Sequence, residues 1–152
     1  MSTPRRPPTL RFLAAAIAVM LSLSGCALSL VSSYDEVTDH AVQELSSKTE
    51  AVIADALSNS GSYRRHAAFY PQAQGEISAI EMRSSVYKQN KDEIAALGKL
   101  RLAMRNMGRI HQIAGSLRPE EVEGVRSLLR SLIHHQIAKK RRSQILNPPP
   151  AT

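Results

Sequence analysis

The stretch PEEVEGVRSLLRSLIHHQIAKKRR, Pro119 to Arg142, decides the fold class. Val122, Val125, Leu129, Leu132, Ile133 and Ile137 recur at helical spacing. Pro119 suits the first turn of a helix, and Glu120, Glu121 and Glu123 sit at its positive dipole end. Lys139, Lys140, Arg141 and Arg142 lie at the negative end, where cations are favoured. One long amphipathic helix is predicted over this stretch.

Three more follow working back along the chain. Leu97, Leu100, Met104, Met107 and His111 share one face, and Gly115 ends that helix. Asn90 and Glu93 have capping-box spacing at its start. Ile77, Ile80, Ser84 and Tyr87 mark a helix from near Pro71 to about Lys88. Tyr34, Ala41, Leu45, Val52 and Ala56 mark a first helix, with Lys48 at the edge of its stripe and SNSG, Ser58 to Gly61, as its stop. Ser62 to Pro71 reads either as a short helical turn or as a packed loop. No segment shows strand alternation. The expected fold is all-α, an antiparallel bundle of about four helices spanning 34–142, with a disordered tail over 143–152.

The N-terminus carries different information. Arg5, Arg6 and Arg11 precede FLAAAIAVMLSLSG, fourteen residues without a charge. That run is short for a spanning helix, which needs about 20 apolar residues, and it fits an export signal. It ends Leu23-Ser24-Gly25-Cys26, which resembles the lipobox of bacterial lipoproteins. Cys26 is the only cysteine, so the chain can form no internal disulfide. The bland alternative is an uncleaved signal anchor with an incidental cysteine.

The lipobox resemblance implies a signal peptide over 1–25, a lipid on the Cys26 sulfur, and a tether over 26–33. More than one acyl chain gives stable anchoring. Ala27, rather than an aspartate, follows the cysteine. In enteric bacteria that points to the outer membrane, with the domain facing the periplasm. Removing the signal leaves 17 basic against 13 acidic residues, a net charge of +4 rather than +7.

Further fragments extend the likeness: CALSLVSSYDEVTD from Cys26, AAFY from Ala67, HQIAGSL from His111 and HHQIAKKRR from His134. Together they resemble a group of small Gram-negative lipoproteins in which the lipidated cysteine leads into a YDxxTD helix. No activity is attached to that group, so only Cys26 inherits a role.

Chemistry is otherwise sparse. His40, His66, His111, His134 and His135 include no i, i+4 pair and no HExxH pattern, so no metal or cofactor is expected. Asp35 and Asp39 share a helix face, but acids in a first turn serve the dipole. No enzyme is expected. An exported chain with no tryptophan and few aromatics is a poor nucleic-acid binder. The expected roles are a structural or interaction module with an envelope protein partner or, as the alternative, a small-ligand carrier with a cavity between the helices. Up-and-down topology returns Lys139–Arg142 to the end where the first helix begins, beside Asp35 and Asp39. There Lys139 or Lys140 would pair with those acids, and the other cations would meet anionic lipid near the membrane.

Overall fold

The computed structural model describes residues 33–58 and 62–148; Cys26, the signal segment and the end of the tail from 149 lie outside them. Four long helices account for most of the described chain: α1 Glu36–Leu57, α3 Phe69–Ser85, α4 Lys91–Ala114 and α5 Pro119–Leu146. A single turn, α2 Tyr63–His66, joins α1 to α3, which makes the segment after Ser62 helical rather than a loop. No strand occurs among the described residues.

Cross-helix contacts give the topology. Arg83 near the end of α3 meets Asp35 before α1, and Lys48 of α1 meets Glu76 of α3. Tyr70 of α3 meets His111 of α4, while Ser84 meets Glu93. Lys139 of α5 meets Glu93, and Arg126 of α5 meets Glu50 of α1. Each long helix therefore runs antiparallel to the next, and α5 packs back on α1 to close the ring.

The inward residues follow a seven-residue rhythm. On α4 they are Glu93, Leu97, Leu100, Met104, Met107 and His111; on α5, Val122, Val125, Leu129, Leu132, Gln136 and Lys139. On α3 they are Tyr70, Ala73, Ile77, Ile80 and Ser84. Steps of three and four keep one seam of each helix facing its neighbours, as in coiled-coil packing. The middle layers are apolar: Val42, Leu45, Ile53, Ile77, Leu97, Leu100, Met104, Leu129 and Leu132 are all sealed from solvent.

The elements differ from expectation in four places. On α1 the buried line is Thr38, Val42, Leu45, Thr49, Ile53 and Ala56, so Ala41 and Val52 are only half-buried. Thr49 can sit inside because its hydroxyl donates to the Leu45 carbonyl, 2.7 Å away. A stripe drawn on apolar residues alone passes it by. Lys48, at the edge of the stripe, bridges Glu44 and Glu76.

Helix α3 begins at Phe69, two residues before Pro71. The first four N–H groups of a helix have no internal partner, so proline costs nothing there. The helix stops at Ser85 rather than Lys88, because Gln89 adopts a left-handed backbone (φ 63°) that turns the chain into α4. Finally, α5 continues through Leu146, so 143–146 is helix rather than tail.

Gly108 is where α4 meets the Tyr70 ring, and a Cβ there would lie 2.8 Å from Tyr70 Cδ1. Gly124 on α5 faces open space. Alanine is favoured over glycine by roughly 1 kcal/mol in a helix interior. Gly124→Ala should therefore stabilise the protein by about 0.5–1 kcal/mol in urea unfolding. Gly108→Ala should instead destabilise it by about 1–2 kcal/mol, because Tyr70 must move. Equal gains at both positions would contradict this packing.

Candidate functional site

One end of the bundle collects most of the buried polar chemistry. It is the end where α1 begins, α3 gives way to α4, and α5 approaches its close. Asp35 lies just before α1 in an extended conformation and accepts from both the backbone N–H (3.3 Å) and the hydroxyl (2.6 Å) of Thr38. The same carboxylate receives Arg83 of α3 through two hydrogen bonds, at 2.5 and 2.8 Å. These bonds, from Arg83 first and then Thr38, hold its pKa far below the ordinary carboxylate range. Asp39 accepts from Tyr34 at 2.8 Å and from Gln43 at 2.7 Å. Burial and the Asp39 carboxylate push the Tyr34 phenol up to about 12. The YDxxTD stretch is thus a self-bonded helix start.

Inside this rim lies an ion pair. Glu93 is fully buried and collects donors from α3, from α5 and from the turn between α3 and α4. Its Oε1 accepts from Ser84 Oγ at 2.5 Å and from Asn90 Nδ2 at 3.4 Å. Its Oε2 accepts from Lys139 Nζ at 2.5 Å and from Gln136 Nε2 at 2.9 Å. Lys139, only 3% exposed, also donates to Asn90 Oδ1 at 2.7 Å. Burial pushes the Glu93 carboxyl up, but the bonds from Lys139 and Ser84 outweigh it and leave the pKa below its ordinary value. His135 Nε2 stands 3.6 Å from Oε2. Burial and the nearby Lys139 lower its pKa, which favours the neutral ring.

Two expectations are corrected here. Asn90 and Glu93 do not form a capping box, because the Asn90 side chain makes no cap bond and both residues serve the buried network. Lys139 does not pair with Asp35 or Asp39, since Arg83 and Tyr34 occupy those acids. The basic stretch is split: Lys139 points inward, Lys140 and Arg141 are exposed, and Arg142 is half-buried. The topological expectation holds, because Lys140 Nζ lies 5.7 Å from the centre of the Tyr34 ring.

The sequence does carry signals for the pair. Glu93 lies four residues before Leu97 on the α4 face, and Lys139 seven after Leu132 on the α5 face. A charge in register with an apolar stripe is either a break in the stripe or half of a buried pair. Ser84 lies on the predicted face of its helix; Gln136 carries no signal of its own.

The histidines lie in separate parts of the bundle, except that His66 approaches His111 and His134 adjoins His135. His111 is sealed in the opposite half of the bundle, bonded to the Tyr70 hydroxyl at 2.6 Å. His66 stacks near it, with Nε2 2.8 Å from Asp55. Among the described residues no group of side chains could hold a metal ion. Surface concavities are present: an apolar groove of about 290 Å³ between α1 and α3, with Val37, Ala41, Ala79 and Ile80 in its lining; a cleft of about 340 Å³ over the buried pair, lined by Asp92, Glu93, Ser131, His134 and His135; and a depression of about 510 Å³ along the start of α1, lined by Glu36, Val37, His40, Ala41 and Glu44.

Breaking a buried ion pair from one side typically costs about 3–5 kcal/mol, whereas replacing both partners by apolar groups costs far less. Lys139→Met should lose about that much stability, and Glu93→Leu combined with Lys139→Met should recover at least half of it. A double variant as unstable as the single one would show that the pair does not act as a unit. Glu93 and Asp35 both have folded pKa values below their unfolded ones. Their stabilisation is therefore complete above about pH 4.5 and is lost as pH falls through the depressed values. Thermal melts from pH 7 down to 3 should show this loss, reduced in Arg83→Gln.

No protein-family model matches the chain, and neither a curated protein nor a solved structure matches it.

Proposed function

We propose that the chain is a lipid-anchored envelope protein of a Gram-negative bacterium, attached through Cys26 to the outer membrane. Its helical bundle faces the periplasm and serves as a structural or protein-interaction module. The observation that carries this reading is Leu23-Ser24-Gly25-Cys26 at the end of a signal-like apolar run. No helix among the described residues is long and apolar enough to cross a membrane. Seven residues, Ala27 to Ser33, lead from the cysteine to Tyr34, a reach of at most about 25 Å at ~3.5 Å each. On this reading the start of α1 stays close to the bilayer.

What supports a module over a ligand carrier is the packing. The interior layers are filled by side chains, and the apolar groove between α1 and α3 opens to solvent. Such a groove suits an apolar contact from a partner protein better than enclosure of a small molecule.

Cys26→Ser should accumulate as a full-length precursor that takes up no labelled fatty acid; a variant that matures and labels like the wild type would sink the proposal. In density gradients the wild type should travel with outer-membrane markers, and co-sedimentation with inner-membrane markers would refute that destination.

A further inference from the structure

The end of the bundle that carries the buried pair is also where its exposed apolar residues gather. Of the eight large hydrophobic residues exposed among the described ones, Val37, Met82, Val86, Ile145 and Leu146 lie at this end. Val86 sits just past the end of α3 with 80% of its surface open, and Ile145 in the last turn of α5 with 79%. The level of the end is marked by Lys139 against Glu93 and Lys140 against Tyr34. Leu146 is seven residues further along α5, roughly 10 Å beyond Lys139 at 1.5 Å per residue. The last turns of α5 therefore stand furthest out, and the α3–α4 connection lies at the level of Lys139 through Asn90.

Cations occupy the same end. Lys88, Lys91, Lys140 and Arg141 are exposed and Arg142 is half-buried. None of the five takes part in an ion pair among the described residues. Two of the acids nearby are paired with cations internally: Asp35 with Arg83 and Glu93 with Lys139. Asp39, bonded to the neutral Tyr34 and Gln43, and the exposed Glu36 and Asp92 are left to oppose the five. Basic residues that share one end with exposed aliphatic ones match the chemistry of an anionic bilayer surface, where phosphates meet the cations and the aliphatic tips enter the acyl boundary. A second copy is a poorer occupant, because a two-fold contact through this face would set five cations against five.

We propose that this end of the bundle is a second, non-covalent membrane contact: Lys88, Lys91, Lys140, Arg141 and Arg142 lie on anionic phospholipid, and Val86, Ile145 and Leu146 dip into it. The inference rests on the lipid-anchored reading for its proximity to the bilayer. The covalent lipid holds the chain at the membrane, and this face sets the orientation of the domain on it.

The test uses the mature protein, purified from membranes and reconstituted into vesicles. An environment-sensitive thiol dye is placed at Ile145→Cys or at Ile113→Cys, which is exposed near the far end of α4. In vesicles containing phosphatidylglycerol, the dye at 145 should shift to the blue and the dye at 113 should not. In phosphatidylcholine vesicles, or at raised salt, the shift at 145 should shrink. Each basic residue near an anionic surface is worth roughly a fivefold factor, so changing Lys140, Arg141 and Arg142 to Gln should lower the ratio of docked to undocked protein by about a hundredfold. Equal emission at 145 and 113 in anionic vesicles would overturn the contact. So would a shift at 145 that grows with protein concentration without vesicles, which would mark a second copy as the occupant. The anchor is judged separately: wild-type protein that takes the thiol dye at Cys26 has no lipid there. Such labelling would remove the anchor, while the difference between 145 and 113 would still decide the contact.

Discussion

Two opposite charges in a dry interior can be stable only in each other's reach, and Glu93 and Lys139 impose that condition on the whole bundle. Ionised groups cost several kcal/mol each to bury, and Coulomb attraction offsets this only with good geometry and every lone pair used. Here the carboxylate receives Ser84, Asn90, Gln136 and Lys139. A slip of α5 past α4 by one heptad would move the partners apart by about 10 Å and strand both. Apolar layers alone would resist that slip weakly, since Val122 and Val125 would take the places of Leu129 and Leu132. The pair thus fixes a register that the seven-residue rhythm leaves open. Ser84 extends the same condition to α3, and Asn90 extends it to the turn between α3 and α4.

Helix α1 is attached on different terms. It contributes Val42, Leu45 and Ile53 to the core, and its charged contacts lie at the surface: Asp35 with Arg83, Lys48 with Glu76, Glu50 with Arg126. Exposed pairs of this kind are worth about 0–1 kcal/mol each. Burial of its apolar seam therefore holds α1, and the ion pairs select its direction and neighbours. Asp35 is the exception, because one carboxylate both caps α1 and grips α3. At the far end Tyr70 and His111 close the core by an aromatic contact in place of ions, with Gly108 making room for the ring.

Helix count, order and antiparallel arrangement are legible in the sequence because Pro119, Gly115 and the apolar spacing are local signals that packing does not override. Apart from the helix ends, the places where it misleads share one cause: a polar side chain is not read as part of the interior. Thr49 disappears from an apolar stripe although its hydroxyl is satisfied by the turn below it. Glu93 three residues after Asn90 matches a capping box, and nothing local says that the bond partner is 46 residues away on α5. Lys139 heads a run of four cations and so inherits their solvated reading. Pair partners on different helices are set by tertiary geometry, which no window of sequence contains.

That run of cations nonetheless had to divide. Successive residues on a helix are about 100° apart, so four in a row cover nearly the whole circumference. On a helix packed against two neighbours, at least one of the four must face inward, and Lys139 is the one in register with Leu132 and Val125. Once Glu93 neutralises it, Lys140 and Arg141 face solvent and Arg142 lies half-buried at the edge, with Ile145 and Leu146 just beyond. The buried pair and the basic surface are therefore two consequences of one short segment: its inward residue fixes where α5 sits, and that placement directs its outward residues to the end of the bundle from which the chain to Cys26 departs.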